Sequence, residues 1–167
     1  MEEDLFEFVL GSGQGELKTE WVNCQDVLDE VTAALRSFAQ TKGLDFEVLV
    51  PATPIRIHTD RSVLHRILLN LIESAITLTD KGSISVYLGR RLRGRFGNVV
   101  TEFIVEDSRP GMGPEEQARL FQRFKPHKGA QSGFPLSLKP AALLDGRVEM
   151  TAIPGQGNIF RVVIFER

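Results

Sequence analysis

Three polar residues that could share a ligand lie in a segment whose apolar residues recur every three or four positions. Asn70, Ser74 and Thr77 are spaced at i, i+4 and i+7, and residues at this spacing line one stripe of an α-helix. The stripe borders the apolar face formed by residues 64–76. The spacing therefore predicts that the three side chains face one ligand. The alternative is the polar flank of an ordinary helix.

A carboxylate follows a predicted strand in the second half of the chain. Asp107 ends an apolar segment and is followed by Arg109, Gly111 and Gly113. An aspartate followed by glycines is common in turns, and glycine gives the backbone conformational freedom. The pattern indicates either a turn alone or a turn that holds a hydrogen-bond acceptor for a ligand.

Two amphipathic helices and a set of strands are predicted to position these residues. Asn23 can cap a helix that runs to about residue 42, and Asp60 can cap a second helix over residues 60–79, which carries the polar stripe. Alternating apolar residues predict strands over 46–50, 55–57, 83–91, 99–107, 148–153 and 160–165. This order predicts an α/β two-layer sandwich, in which helices cover one face of a mixed sheet.

The start of the chain is predicted to be a boundary segment. The apolar residues 5–10 are interpreted as the end of a helix, and the glycines at 11, 13 and 15 as a flexible link. Residues 1–20 are therefore assigned to a linker, and the domain is predicted to cover residues 21–167.

The composition is that of one compact soluble domain. The 167 residues are 42% hydrophobic, and the net charge of -2 gives no global field that would attract nucleic acid. Cys24 is the single cysteine, which excludes an internal disulfide and a cysteine-based zinc cluster and favours the cytoplasm. The apolar runs are shorter than the roughly 18 residues of a membrane span, and the start is acidic rather than basic. We therefore expect no nucleic-acid partner and no direct membrane contact.

The first motif resembles the asparagine box of the ATPases shared by histidine kinases, DNA gyrase, certain heat-shock chaperones and mismatch-repair proteins. That box usually reads N-L-x-x-N-A-x-K-F-T, and residues 70–79 read NLIESAITLT. Asn70, Ala75 and Thr79 match it. The resemblance covers about residues 20–167 and implies a Bergerat-type fold, with a mainly antiparallel sheet and helices on one face.

The resemblance implies a site for ATP and magnesium, with two changes. In the family, the second asparagine of the box gives an amide oxygen to magnesium, and the lysine contacts a phosphate. Ser74 and Thr77 stand at these positions, so Asn70 and Ser74 are the candidate metal ligands. The Ser74 hydroxyl can ligate magnesium, but it reaches less far than the amide oxygen of an asparagine. Thr77 lacks the positive charge of the family's lysine.

The segment that begins with Asp107, at the end of the predicted strand 99–107, resembles the family's first glycine box, D-x-G-x-G. The resemblance implies that Asp107 accepts a hydrogen bond from the adenine amino group, with Gly111 and Gly113 near the purine. Arg109 stands where the first glycine belongs. Its long side chain is expected either to fill the adenine pocket or to block it.

The second glycine box, usually G-x-G-L-G-L, is altered more strongly. Residues 131–136 read QSGFPL, so that only Gly133 and Leu136 match. Pro135 lacks the backbone N–H of one phosphate-binding donor. Lys128, in the short segment before this box, is a candidate phosphate contact, and the alternative is a solvated loop charge.

None of the three histidines has the H-E-[LIF]-[RK]-T-P surroundings of the family's phosphoacceptor. No catalytic residue is therefore assigned within the chain. The resemblance implies a phosphoacceptor histidine domain and a response-regulator receiver domain as partners, and a dimer formed through a dimerisation domain that this chain lacks. Residues 1–20 would then be the trailing end of the phosphoacceptor helix.

Two functions remain open from the sequence. The first is the ATP-binding domain of a sensor histidine kinase in two-component signalling, with impaired nucleotide binding. The second is a nucleotide-free pseudo-kinase domain, which would act as a regulatory or docking module in a phosphorelay.

Overall fold

The computed structural model describes residues 4–10, 18–93, 98–108, 115, 146–153 and 157–165. Within these ranges the chain forms eight strands and two helices. In chain order they are β1 (Asp4–Leu10), β2 (Thr19–Asn23), α1 (Cys24–Thr41), β3 (Asp45–Leu49), β4 (Arg56–Asp60), α2 (Arg61–Leu78), β5 (Ser83–Arg93), β6 (Asn98–Asp107), β7 (Gly146–Ile153) and β8 (Gly157–Phe165). No helix among these residues is long and apolar enough to cross a membrane.

Both helices begin at the predicted caps. The Asn23 side chain accepts a hydrogen bond from the Asp26 backbone N–H at 3.1 Å. Asp60 Oδ1 accepts from the Val63 N–H at 3.2 Å, and its Oδ2 accepts from the Lys18 N–H at 3.0 Å. Each cap satisfies a donor that the first turn of a helix leaves unpaired. Asp60 thereby also ties α2 to the residue that precedes β2.

A six-stranded sheet forms one layer of the domain. Its order is β1-β7-β8-β6-β5-β3, and β2 pairs with β4 in a separate two-stranded sheet. Only the β3–β5 pair of the larger sheet is parallel. Alternate residues of β5, β6 and β8 share one core with the apolar faces of α1 and α2. The predicted sandwich, with a mixed and mainly antiparallel sheet, is confirmed.

The helix end predicted over residues 5–10 is wrong. This segment is β1, which pairs antiparallel with β7 from Asp4 opposite Ala152 to Leu10 opposite Gly146. A six-residue segment with five apolar residues is too short for periodicity to distinguish a helix from a strand, whereas the open edge of β7 offers it a full ladder of backbone hydrogen bonds. The domain boundary after residue 20 stays a prediction.

Candidate nucleotide-binding site

Asn70 is buried where α2 packs on the sheet. Its side chain is 9% exposed, and the adjacent apolar residues of α2 belong to the core. Within the described residues, Asn70 Nδ2 has no hydrogen-bond partner. A buried amide without a partner costs about 1–3 kcal/mol, so such a group usually marks a water or a ligand.

The rest of the predicted stripe becomes steadily more exposed along α2. Ser74 is half-buried and Thr77 is exposed, so the helix carries its polar stripe from the core to the surface. Thr79, just after the helix, is fully buried, and its Oγ1 has no hydrogen-bond partner among the described residues. Asn70 and Thr79, which both match the asparagine box, are thus the two buried polar groups of this segment.

Asp107 is held at the end of β6. It is 5% exposed, and its Oδ1 accepts hydrogen bonds from Asn158 Nδ2 at 2.9 Å and from the Asn158 backbone N–H at 3.3 Å. Sequence reasoning missed Asn158. The available signal was the turn at residues 154–160, PGQGNIF, which has asparagine where the family has serine or threonine.

Asn70 and Asp107 face the same layer of the domain. Asp107 follows Phe103 and Val105 on alternate positions of β6, and those two side chains lie in the core beneath the helices. Helix α2 packs against β6 from that side. The two predicted site residues therefore do not lie on opposite sides of the molecule. Their role in binding stays a prediction.

The segment just after the asparagine box contacts the start of the first glycine box. Gly82, after the asparagine box, precedes Ser83, whose N–H donates to Ser108 Oγ at 2.8 Å, and the Ser108 N–H donates to the Ser83 carbonyl at 3.1 Å. Ser108 directly follows Asp107. The loop after α2 and the end of β6 are thus fixed to each other beside the candidate site.

Five predicted site residues lie outside the residues that the structure describes. They are Arg109, Gly111, Gly113, Lys128 and Gly133. Their assignment therefore stays a prediction.

The described histidines make contacts away from this site. His58 packs edge-to-face on Trp21, with ring centroids 5.3 Å apart. His65 Nε2 lies 3.8 Å from Glu30 Oε2, and Arg61 Nη2 lies 2.8 Å from Glu30 Oε1. The hydrogen bond from Arg61 holds the pKa of Glu30 below its ordinary value. His127 lies outside the described residues.

Comparison with known proteins identifies the family. Residues 59–167, more than half of the chain, match the model described as histidine kinase-, DNA gyrase B- and HSP90-like ATPase. The chain belongs to this family. The likeness extends over the fold, because full-length ShkA, solved in complex with AMPPNP, matches 94% of this chain over 33% of its own, with a TM-score of 0.72 at 28% identity. The catalytic domain of histidine kinase ThkA has the same fold, with a TM-score of 0.67 at 17% identity over 90% of this chain and 97% of its own.

Two curated relatives show how much of a larger protein such a domain represents. The non-motile and phage-resistance protein of Caulobacter vibrioides is 30% identical over 156 residues, which are 88% of this chain and 18% of that protein. The aerobic respiration control sensor protein ArcB of Escherichia coli is 32% identical over 137 residues, which are 75% of this chain and 17% of that protein. The chain spans less than a fifth of either relative.

Proposed function

We propose that this histidine kinase-type ATPase domain binds adenine nucleotide weakly and serves a sensor histidine kinase in two-component signalling. It would hold ATP while a histidine on another domain receives the γ-phosphoryl group. The observation that carries the proposal is the buried Asn70 amide, with an unused Nδ2, in the same layer as the fixed carboxylate of Asp107. Phosphoryl transfer depends on positioning and charge neutralisation, so the domain needs no nucleophile of its own.

The surroundings of Asp107 are those that an adenine-binding carboxylate would need. Asp107 is buried, lies at the end of a strand, and is held on one oxygen by Asn158. An ionised carboxylate only accepts hydrogen bonds, and the amino group of adenine donates them. These contacts support adenine as the base that the site would recognise.

The residues that would contact magnesium and the phosphates, Ser74 and Thr77, are less suited to these groups. Magnesium would be held by Asn70 and Ser74 together with phosphate oxygens, because a hard cation prefers oxygen ligands. Ser74 is only half-buried, and Thr77 brings a neutral hydroxyl to the surface. Each lost contact to metal or phosphate weakens binding by about 1–3 kcal/mol. Two such losses amount to several powers of ten in affinity.

Phosphoryl transfer from this domain would require a phosphoacceptor domain and a receiver domain as partners. None of the three histidines has a phosphoacceptor context, so the acceptor would lie on a separate phosphoacceptor domain, which would then transfer the phosphoryl group to a receiver domain. The large share of each curated relative that this chain does not match leaves room for such domains.

Calorimetric titration with ATP and ADP, with and without magnesium, tests the proposal. We expect both nucleotides to bind weakly, with dissociation constants within about threefold of each other, a difference below about 0.7 kcal/mol. The γ-phosphate and magnesium add little because their protein contacts are reduced. If ATP bound tightly and only with magnesium, while ADP bound weakly, the proposal of impaired binding would be wrong, and the domain would bind nucleotide as a fully competent kinase does. Absence of binding for both nucleotides would favour the docking module instead.

The chain is also expected not to phosphorylate itself. Incubation with ATP labelled in the γ-phosphate should leave the protein unlabelled, because His58 and His65 make other contacts and neither lies in a phosphoacceptor sequence. Mass spectrometry under conditions that preserve phosphohistidine provides the measurement. Acid-labile phosphate on any of the three histidines would contradict this prediction.

A further inference from the structure

Strand β5 extends beyond its partner at the edge of the large sheet. The parallel partner β3 ends with Leu49 opposite Tyr87, whereas β5 continues to Arg93. Residues 88–93 pair with β6 on one side, and the ladder with β3 on the other side ends before them. The backbone of this stretch therefore offers hydrogen-bond donors and acceptors to an added strand.

The side chains at this edge combine exposed apolar surface with positive charge. Leu92 is 69% exposed, and Val99, which lies opposite it, is 38% exposed. The neighbouring Arg90 and Arg91 are exposed as well. Residues 83–101 contain four arginines and no aspartate, glutamate or lysine. Arginine is enriched at protein–protein interfaces, whereas lysine is depleted, so this composition favours a surface that binds another protein.

Contacts within the domain hold two of these arginines in place. Arg90 Nη2 donates to the Arg56 carbonyl at 3.1 Å, and Arg91 Nε contacts Glu102 Oε1. Side chains that are already ordered lose less conformational entropy on binding. Because the buried carboxylate of Glu102 offsets the charge of Arg91, the other arginines of the hairpin carry its positive charge.

We propose that the edge of β5 at residues 88–93 binds an extended acidic segment of another protein, which adds to the sheet as a strand. The carboxylates of this segment pair with the arginines of the hairpin, and its apolar side chains pack on Leu92. The surface lies far from the candidate nucleotide-binding site, because Val99 and Asp107 are near opposite ends of β6. They are roughly 26 Å apart at about 3.3 Å per residue.

An extended peptide suits this edge better than other anionic partners do. A strand edge presents both N–H donors and C=O acceptors, and a peptide backbone complements both. The phosphates of lipids and nucleic acids only accept hydrogen bonds. Carboxylates also match the planar fork of arginine. The net charge of -2 gives the whole chain no general attraction to polyanions.

A purely protective role for the arginines makes a different prediction. Charged side chains on an exposed edge strand prevent it from pairing with other chains. If protection were their only role, no extended acidic peptide would bind, and removal of a positive charge would promote self-association of the domain. Binding of a peptide therefore separates the two roles.

The test is a two-dimensional amide NMR titration of the full chain with a short capped peptide in which glutamate alternates with valine. The shifts should be confined to β5 and to the β6 residues opposite its free edge. One control peptide has lysine in place of each glutamate. A second control is N-methylated at every residue, so that it keeps the side chains but has no backbone N–H to donate. Each control should bind at least about 10-fold more weakly.

Variants of the chain assign the binding to this edge. Arg90→Glu should weaken binding of the glutamate peptide about 10-fold and strengthen binding of the lysine peptide. Arg66→Glu makes the same charge change at an exposed position of α2 and should affect neither. Leu92→Thr, which keeps a residue suited to a strand, should weaken binding about threefold because apolar contact is lost. The same spectra show whether each variant folds.

Several results would overturn the inference. The glutamate peptide could fail to bind the unmodified chain, which would leave the arginines with a protective role alone. Equal binding of the N-methylated peptide would show attraction of charges without strand addition. If phosphatidylserine vesicles or duplex DNA bound more tightly than the peptide, and lost this affinity in Arg90→Glu, the edge would belong to another class of partner. None of these results depends on nucleotide binding, which a titration with ADP tests separately.

Discussion

Replacing Gly82 by alanine is expected to destabilise the domain by about 2–4 kcal/mol. Gly82 has φ +118°, and a Cβ atom there would lie 2.0 Å from Ser108 Oγ. A side chain in that backbone region costs about 1–3 kcal/mol. Displacing Ser108 would also break the bond from the Ser83 N–H, which adds about 1 kcal/mol. Urea unfolding of the purified variant measures the loss.

Two other glycines provide matched controls for this substitution. Gly43 has φ +73° but open space around it, so Gly43→Ala should show only a backbone effect of about 1–2 kcal/mol. Gly89 has neither a positive φ nor a close neighbour, so Gly89→Ala should change stability by less than about 0.5 kcal/mol. If Gly82→Ala were as stable as Gly89→Ala, the contact between the two motif ends would not contribute to stability.

Restoring the family's residues is expected to raise the affinity for magnesium-ATP by about 100-fold. The combined variant Ser74→Asn, Thr77→Lys and Arg109→Gly would return an amide oxygen, a positive charge and a glycine. Two recovered contacts of about 1–3 kcal/mol each are enough for this gain. Thr77 is exposed, and lysine is a good helix former, so the helix should tolerate the change.

The dependence of this gain in affinity on the γ-phosphate and on magnesium identifies its cause. The variant should prefer ATP over ADP and should depend on magnesium, as measured by calorimetry. Thr41→Lys adds the same charge at an exposed position at the end of α1, and it should leave the affinity unchanged. An equal gain from Thr41→Lys would indicate general electrostatic attraction. No gain from the combined variant would show that these three residues are not what weakens binding.

Features whose physical causes act over three or four residues could be predicted from the sequence alone. Asn23 and Asp60 cap their helices because each lies three positions before an amide that its side chain can reach. The apolar period along α2 likewise fixes which residues enter the core and which form the polar stripe. For the same reason, Asn70 and Asp107 could be selected as candidate site residues from local motifs.

Features that depend on partners distant in the chain could be recognised only in the folded structure. β1 is a strand because β7, more than a hundred residues later, offers it an edge. Asn158 meets Asp107 across 51 residues of sequence, and Gly82 meets Ser108 across the β5–β6 hairpin. A side-chain pattern does not encode which distant group will lie opposite it. That choice is made when the sheet aligns its strands and the buried polar groups must find partners.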